Sequence, residues 1–475
     1  MGLQLLAVAS ECFPLVKTGG LADVVGALPA ALAGQGIGVT TLIPGYPAVL
    51  AALGGAEEAR AWPDLFGGPA RLLRGRAAGL DLLALEAPHL FDRPGNPYLG
   101  PEGRDWPDNP IRFAALGVAA AMAAERFDLV HAHDWQAGLV GAYLRLNLRR
   151  ATPLVFTIHN LAFQGQYPAE LFSRLGLPPE AFSIEGLEYF GEVGFLKAGL
   201  WYADRITTVS PTYAAEIRTA EGGMGLDGLL RSRAAVVSGI LNGLDTAEWN
   251  PATDRHLAAP FSAGDPAPRA ANTAALRTRF GLAEGAVGPL CLFVGRLAWQ
   301  KGIDLVLDAL PALLAEDGQL AILGTGDRAL EARCRAAAAE HPGQVGTVIG
   351  FDEALARLGY GGADAVLVPS RFEPCGLAQL CALRYGAPPV VARVGGLADT
   401  VIDANEAALS AGVATGVEFA PPVAEALAAA LRRLAVLHRD AVGWERMRRN
   451  ALAADVSWAR SAGRYAALFR ELVRG

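Results

Sequence analysis

The side chains best suited to chemistry lie in turns that follow apolar, β-leaning runs. Lys17 sits in ECFPLVKTGG, Arg296 and Lys301 in GRLAWQKG, and Arg371 with Glu373 in PSRFEPCGL. A cation beside glycines at a helix start suits a phosphate, because glycine lets it approach the backbone and free N–H groups face it. Arg296 and Lys301 flank one turn, and two cations there suit a diphosphate better than either alone. Glu373 beside such an anion could take an uncharged polar partner such as a sugar hydroxyl. The alternative is that Arg371 and Glu373 pair with each other on a loop. Of 41 basic residues only three are lysine: Lys17, Lys197 and Lys301. Arginine does the general surface work, so a surviving lysine marks a place that needs a compact point charge. Codon bias is the competing explanation, and the glycines beside Lys17 and Lys301 weigh against it. Lys197 falls mid-helix, where a structural ion pair competes with any functional role.

A second set gathers at the ends of two successive strand-like runs. FDLVHAHDW ends in His131, His133, Asp134 and Trp135, and TPLVFTIHN ends in His159 and Asn160. The carboxyl ends of parallel strands are where α/β proteins build ligand sites. Zinc on the three histidines competes, but no suitable cysteine or Glu-x-x-His partner accompanies them. His131 reads as a buried, hydrogen-bonded structural histidine. The proline- and glycine-rich stretch 87–110 carries Tyr98 and Trp106, which either stack on a ligand or pin the loop down.

These groups need strand ends to hold them, and the chain supplies an α/β alternation. Residues 3–10 read as a strand, 21–33 as a helix, 38–43 as a strand, 71–85 as a hairpin turning near Gly79, and 111–124 as a helix. After Pro251, Pro260, Pro266 and Pro268 in a polar, alanine-rich run at 250–275, the pattern starts again. PLCLFVGRL, QLAILGTGD, GTVIGF and ADAVLVPS are its strand ends, and a helix is expected from Gly376 to Tyr385, stopped by Gly386. Gly-Gly-Leu-Ala-Asp occurs at 19–23 and again at 395–399, each time opening a helix with an aspartate in its first turn. That repetition suits two similarly built domains.

Length and composition agree. At 475 residues the chain exceeds one ordinary core, so two large domains are expected. A hydrophobic content of 52% with 19% charged residues describes a globular protein. The net charge of −7 argues against a nucleic-acid backbone as partner. Five scattered cysteines show neither metal spacing nor a disulfide framework. Neither a membrane span nor a signal peptide is legible, and the cytoplasm is the expected compartment.

Lys17-Thr-Gly-Gly-Leu, His133-Asp-Trp, Thr157-Ile-His-Asn, Gly295-Arg-Leu, Gln300-Lys-Gly and Arg371-Phe-Glu-Pro-Cys-Gly-Leu occur together and in this order. Together they resemble the bacterial glycogen synthase and plant starch synthase family over essentially the whole chain. The resemblance implies the GT-B arrangement, two Rossmann-like doubly wound domains facing across a deep interdomain cleft. It places the first domain at 1–246 and the nucleotide-sugar domain at 247–454, with a C-terminal helix at 455–475 crossing back to the first. It implies a retaining glycosyltransferase that moves glucose from ADP-glucose to the non-reducing end of an α-1,4-glucan, with no metal ion and no pyridoxal phosphate. By motif, Arg296 and Lys301 should neutralise the diphosphate, and Lys17 with Gly19 and Gly20 should close over it. Glu373 should bind glucose hydroxyls, with Cys375, Gly376 and Leu377 beside it. His159 should contact the glucose near the anomeric carbon. Asp134, Trp135 and Asn160 should line the glucose and acceptor end, and Asn242 the cleft. Asp23 should belong to the Lys17 loop, and Tyr98 to the acceptor path. Retaining glycosidases use two carboxylates about 5 Å apart. No carboxylate pair takes that role here, so a same-face mechanism assisted by the departing phosphate is expected.

Two departures stand out. Ala378 follows the Glu-Pro-Cys-Gly-Leu motif where many relatives carry threonine, which removes a possible hydroxyl contact to phosphate. RAANTAALRTRFGL lacks the lysines usual in that segment, consistent with surface drift in a lysine-poor chain. A plant-type transit extension is absent, which favours a bacterial enzyme. The competing functions are a retaining transferase using UDP-glucose or making a small glucoside, a phosphorylase, and a non-catalytic glucan-binding relative.

Overall fold

The computed structural model describes residues 2–474. The chain divides into two compact units, Met1–Asn242 with Trp458–Gly475, and Gly243–Ser457.

The first unit is built on a nine-stranded sheet. Its spatial order is Val237–Gly239, Arg205–Thr208, Leu154–Ile158, Leu129–His133, Leu3–Val8, Ile37–Pro44, Leu80–Glu86, Ala70–Ala77 and Gly54–Trp62. The first seven are parallel, and the last two are added antiparallel. Leu129–His133 and Leu154–Ile158 are buried along their whole length, as strands covered on both faces must be. The chain leaves the central strand Leu3–Val8 towards Ile37–Pro44 and later returns on its other side at Leu129–His133. That reversal is the switch point of the sheet. The hairpin expected near Gly79 is present, with Ala78 (φ 51°) and Gly79 (φ 80°) both in the left-handed region that a tight two-residue turn needs.

The C-terminal helix Trp458–Arg474 belongs to this unit. Its Trp458, Tyr465 and Phe469 are buried in one core with Leu5, Val24, Leu28, Leu32 and Leu129. Ser461 Oγ donates to the carbonyl of Leu241 at 2.5 Å. Residues 243–246, expected with the first domain, fall in the second unit instead. The Leu244 amide donates to the carbonyl of Val456, tying the two chain crossings together there.

The second unit holds six parallel strands in the order Val345–Ile349, Gln319–Gly324, Leu290–Val294, Ala365–Val368, Pro389–Ala392 and Val417–Phe419. Numbered by sequence within the unit this is 3-2-1-4-5-6, the Rossmann order. Its switch point lies between Leu290–Val294 and Ala365–Val368. The run at 250–275, where the second half was expected to start, is pinned to this unit. Buried Asp254 accepts from the Tyr385 hydroxyl and from Arg357, whose guanidinium lies 4.2 Å from the Trp249 ring centroid. A helix, Arg269–Phe280, begins within that run. Arg269 is buried and donates to the carbonyls of Gly361 and Ala363, satisfying groups that the end of helix Glu353–Gly362 leaves open.

Candidate active site

In the second unit the polar groups collect at the switch point. The turn after Leu290–Val294 leads to helix Ile303–Leu314, and Gly302 (φ 72°) makes the passage. A Cβ on Gly302 would stand 2.2 Å from the carbonyl oxygen of Pro369, so only glycine lets the two turns meet this closely. Lys301 Nζ lies 2.6 Å from Glu373 Oε2, which also accepts from Ser370 Oγ at 2.8 Å. The Glu373 side chain is only 8% exposed. A carboxylate buried to this degree needs such partners, and here it has a full ion pair and a hydroxyl.

Arg371 and Glu373 do not pair with each other. Arg371 forms a two-pronged bond to Asp304, at 2.9 and 2.6 Å, and donates to the carbonyl of Trp299. Its guanidinium also lies 4.5 Å from the Trp299 ring centroid. Burial works to raise the Asp304 pKa, and the Arg371 bonds and charge outweigh it, leaving the carboxyl below its ordinary range. Arg371 therefore clamps one turn to the other and leaves Glu373 to Lys301. Arg296 is exposed on the same turn, donating to Gln300 Oε1 at 3.3 Å. The helix expected from Gly376 starts later, at Ala378. Gly376 is left-handed (φ 77°), Leu377 precedes the first turn, and Gln379 Nε2 holds the carbonyls of Cys375 and Gly376 at 2.8 and 3.1 Å.

In the first unit the loop after Leu3–Val8 folds around a residue that sequence reasoning passed over. The buried Glu11 carboxylate accepts from the Thr18 amide, the Thr18 hydroxyl (2.7 Å), the Gly19 amide (3.3 Å) and the Tyr98 hydroxyl. Tyr98 also shares a hydrogen bond with Ser10 Oγ at 2.7 Å. Tyr98 is thus tied to the Lys17 loop through its hydroxyl. Burial, then the Glu11 charge, push its pKa well above the usual phenol value. Trp106 is the loop anchor, with Arg93 4.7 Å from its ring centroid and bonded twice to Asp108. Lys17 Nζ meets Asp23 Oδ1 at 2.7 Å and stays half exposed, and Gly19 and Gly20 lead into helix Gly20–Ala33.

The ends of Leu129–His133 and Leu154–Ile158 bring the other set together. His133 Nδ1 and His159 Nε2 share a hydrogen bond at 2.9 Å, and Asp134 Oδ1 accepts from the His159 amide at 2.7 Å. Asp134 holds a left-handed φ of 56°, which is strained for a residue with a Cβ and aims the carboxylate across to the neighbouring strand. Burial raises its pKa to about 7, and the amide bonds it accepts work against that rise. Burial also lowers His159 to about 3 and His133 well below the usual imidazole range, so both rings are neutral at pH 7.

His131 bonds Thr157 Oγ1 at 2.6 Å and packs against Tyr465 and Phe469 of the C-terminal helix, a core position. Trp135 is also largely core, edge-on to Phe113 at 5.1 Å between centroids. Asn160 Oδ1 accepts from the Ala162 amide, and Asn242 Oδ1 is buried without a hydrogen-bond partner among the described residues. Lys197 takes no carboxylate among the described residues. Its ammonium donates to the carbonyls of Ile184, at 2.7 Å, and Glu188.

Ser10, Glu11, Thr18, Asp304 and Ser370 are thus structural members of these two clusters that sequence reasoning did not single out. The one signal for Glu11 and Ser370 is their position, within three residues of the end of a parallel strand.

Residues 4–232 match the starch synthase catalytic domain, and residues 277–448 match glycosyl transferases group 1. A glycogen synthase of Rhodopseudomonas palustris (strain BisB18) is 58% identical, covering 98% of this chain and 97% of its own. One from Methylocella silvestris is 59% identical, covering 99% of each. Among solved structures, the catalytic domain of starch synthase IV from Arabidopsis thaliana, bound to ADP and acarbose, superposes with a TM-score of 0.87 at 31% identity over the whole of both chains. The two parallel-sheet units are those of the GT-B fold, and the chain belongs to the glycogen synthase family of glycosyltransferases.

Proposed function

We propose that this enzyme transfers glucose from ADP-glucose to the non-reducing end of an α-1,4-glucan, with retention of configuration and without a metal ion or pyridoxal phosphate. The observation that carries the proposal is the Lys301–Glu373 pair, with Arg296 on the same turn, at the switch point of a Rossmann-ordered sheet. A cation pair there stabilises charge that grows on a departing diphosphate, and its effect is greatest in the transition state. The buried Glu373 carboxylate, held by Lys301 and Ser370, is a fixed acceptor for glucose hydroxyls. Phe351 is 86% exposed just beyond strand Val345–Ile349 and offers a flat face to a base. Adenine as that base is supported by the ADP in the related starch synthase IV structure.

In the first unit, the half-exposed Lys17 beside Gly19 and Gly20 suits an anionic group of the donor. His159 is neutral and so adds no positive charge beside an oxocarbenium-like carbon. In the same-face step the bond from the anomeric carbon to the diphosphate oxygen breaks. The acceptor 4-hydroxyl oxygen bonds to that carbon from the same side, and its proton passes to the departing diphosphate oxygen. ADP and a chain longer by one glucose result.

The test is glucose incorporation into glycogen from ADP-glucose and UDP-glucose in parallel, with Glu373→Ala as control and a chelator arm. Transfer from ADP-glucose, unchanged by chelation and lost in the variant, is the expected result. Preference for UDP-glucose overturns the donor, and chelator sensitivity overturns the metal-free reaction. Glycogen binding with no transfer from either donor overturns the catalytic reading.

A further inference from the structure

Three apolar side chains of the first unit stand in solvent where folding alone gives them no reason to be. Phe190 is 78% exposed, Phe163 54% and Met224 38%. Phe190 (φ 51°) and Gly191 (φ 80°) form the tip joining strands Glu188–Tyr189 and Glu192–Gly194, and Met224 (φ 47°) and Gly225 (φ 86°) repeat the pattern. Positive φ favours Gly, Asn or Asp, and a bulky side chain there is strained. Strain combined with exposure points to a use for the side chain itself.

The three belong to one surface. Gln164, next to Phe163, and the Tyr189 hydroxyl both donate to the Met224 carbonyl, at 3.0 and 3.2 Å. The Tyr189 and Phe190 rings lie 4.7 Å apart, and a Cβ on Gly225 would come within 3.4 Å of the Phe190 ring. The base of the hairpin is anchored, since buried Lys197 holds the carbonyls of Ile184 and Glu188. The surface also continues the acceptor-side residues, because the Phe163 amide donates to the Asn160 carbonyl at 3.2 Å.

We propose that Phe163, Phe190 and Met224 form an outer platform for the glucan chain, holding sugar rings beyond the one being extended. This rests on the α-1,4-glucan acceptor reading above. Sugar rings offer apolar C–H faces to aromatic side chains, and their hydroxyls suit the carboxylates of Glu188 and Glu192 that flank the tip in sequence. Those carboxylates disfavour an anionic partner. A second copy of the chain is disfavoured by size, since three side chains fall far short of the ~1,200 Å² that a stable interface buries.

The test compares the wild type with Phe190→Asn, Met224→Asn and the double variant, using glycogen and maltotriose as acceptors. Asparagine suits positive φ, so thermal stability should hold or rise. The double variant should raise KM for glycogen by about five- to tenfold, with kcat and all maltotriose parameters unchanged. An unchanged glycogen KM overturns the platform while leaving the acceptor reading intact. A wild type that extends neither acceptor overturns the acceptor reading and the platform with it. A sedimenting dimer that dissociates in the double variant assigns the surface to a second copy and also overturns the proposal.

Discussion

At residues 19–23 the pentapeptide Gly-Gly-Leu-Ala-Asp begins with an extended Gly19 (φ −155°), and no atom lies within 4 Å of where a Cβ on it would stand. At 395–399 the same five residues are pressed onto the turn that carries the buried carboxylate. A Cβ on Gly395 would stand 2.0 Å from the carbonyl oxygen of Glu373, and one on Gly396 2.3 Å from that of Cys375. Both copies start a helix and both bury their leucine. The shared grammar therefore fixes only the helix start, and the neighbours decide what the glycines do. In the second unit they let a supporting turn pack beneath Glu373. In the first unit the fold does not require a bare Gly19, which leaves that surface open to a ligand.

The largest expected effect tests the packed copy. Gly396→Ala must push its methyl group into the Cys375 backbone, and should destabilise the protein by about 2–3 kcal/mol in urea unfolding. Because the Gly396 amide also bonds the Glu373 carbonyl at 3.1 Å, turnover should fall as well. A wild-type unfolding midpoint would mean that the turn yields freely and that the two copies are equivalent after all. Close behind comes Glu11→Ala, which strips the acceptor from two amides, the Thr18 hydroxyl and the Tyr98 hydroxyl. A loss of about 2 kcal/mol is expected. If stability is unchanged, the open copy does not depend on its carboxylate.

This contrast between packed and open copies is invisible in the sequence, while the placement of the copies is legible. Apolar runs ending in Gly295-Arg296, Pro369-Ser370, His133-Asp134 and His159-Asn160 mark four strand ends, and strand ends are where the structure gathers these groups. Partners across the sheet were beyond reach. Arg371 finds Asp304 67 residues away, and Lys301 finds Glu373 72 residues away. Choosing between Asp304 and Glu373 as partner for Arg371 requires the register of two turns. Glu11 gave no spacing signal, since one acid in a turn is ordinary until four donors point at it. Strand Gly54–Trp62 carries no sequence signal, because it is an exposed edge strand without apolar alternation, held by pairing to Ala70–Ala77.

A third effect probes charge in the unit with the open copy. Asp134 is raised to about 7 by burial, with the charge of Glu11 contributing, against an ordinary value of 3.8. Between those values the folded state binds more proton than the unfolded state, so this group's contribution to stability falls as pH rises through that window. Asp134→Asn removes the penalty while keeping an acceptor for the His159 amide. Its melting temperature relative to wild type should therefore improve from pH 5 to pH 8, by an amount on the order of 1–3 kcal/mol in stability. A difference that stays flat with pH would place the ionisation of Asp134 outside this range.

The smallest effect on stability, and the sharpest test of the comparison, is Gly19→Ala. An extended backbone accepts alanine, and nothing stands where the methyl group would go. The unfolded chain also loses freedom on gaining a side chain, so stability should stay within about 0.5 kcal/mol of wild type or rise slightly. If the open surface exists for close approach of a diphosphate, the same methyl group should raise KM for ADP-glucose, with glycogen KM unchanged. Loss of donor affinity at undiminished stability would separate the two copies by function as cleanly as Gly396→Ala separates them by packing. Unchanged donor affinity would leave Gly19 as a glycine of no consequence, and the two copies would then differ in packing alone.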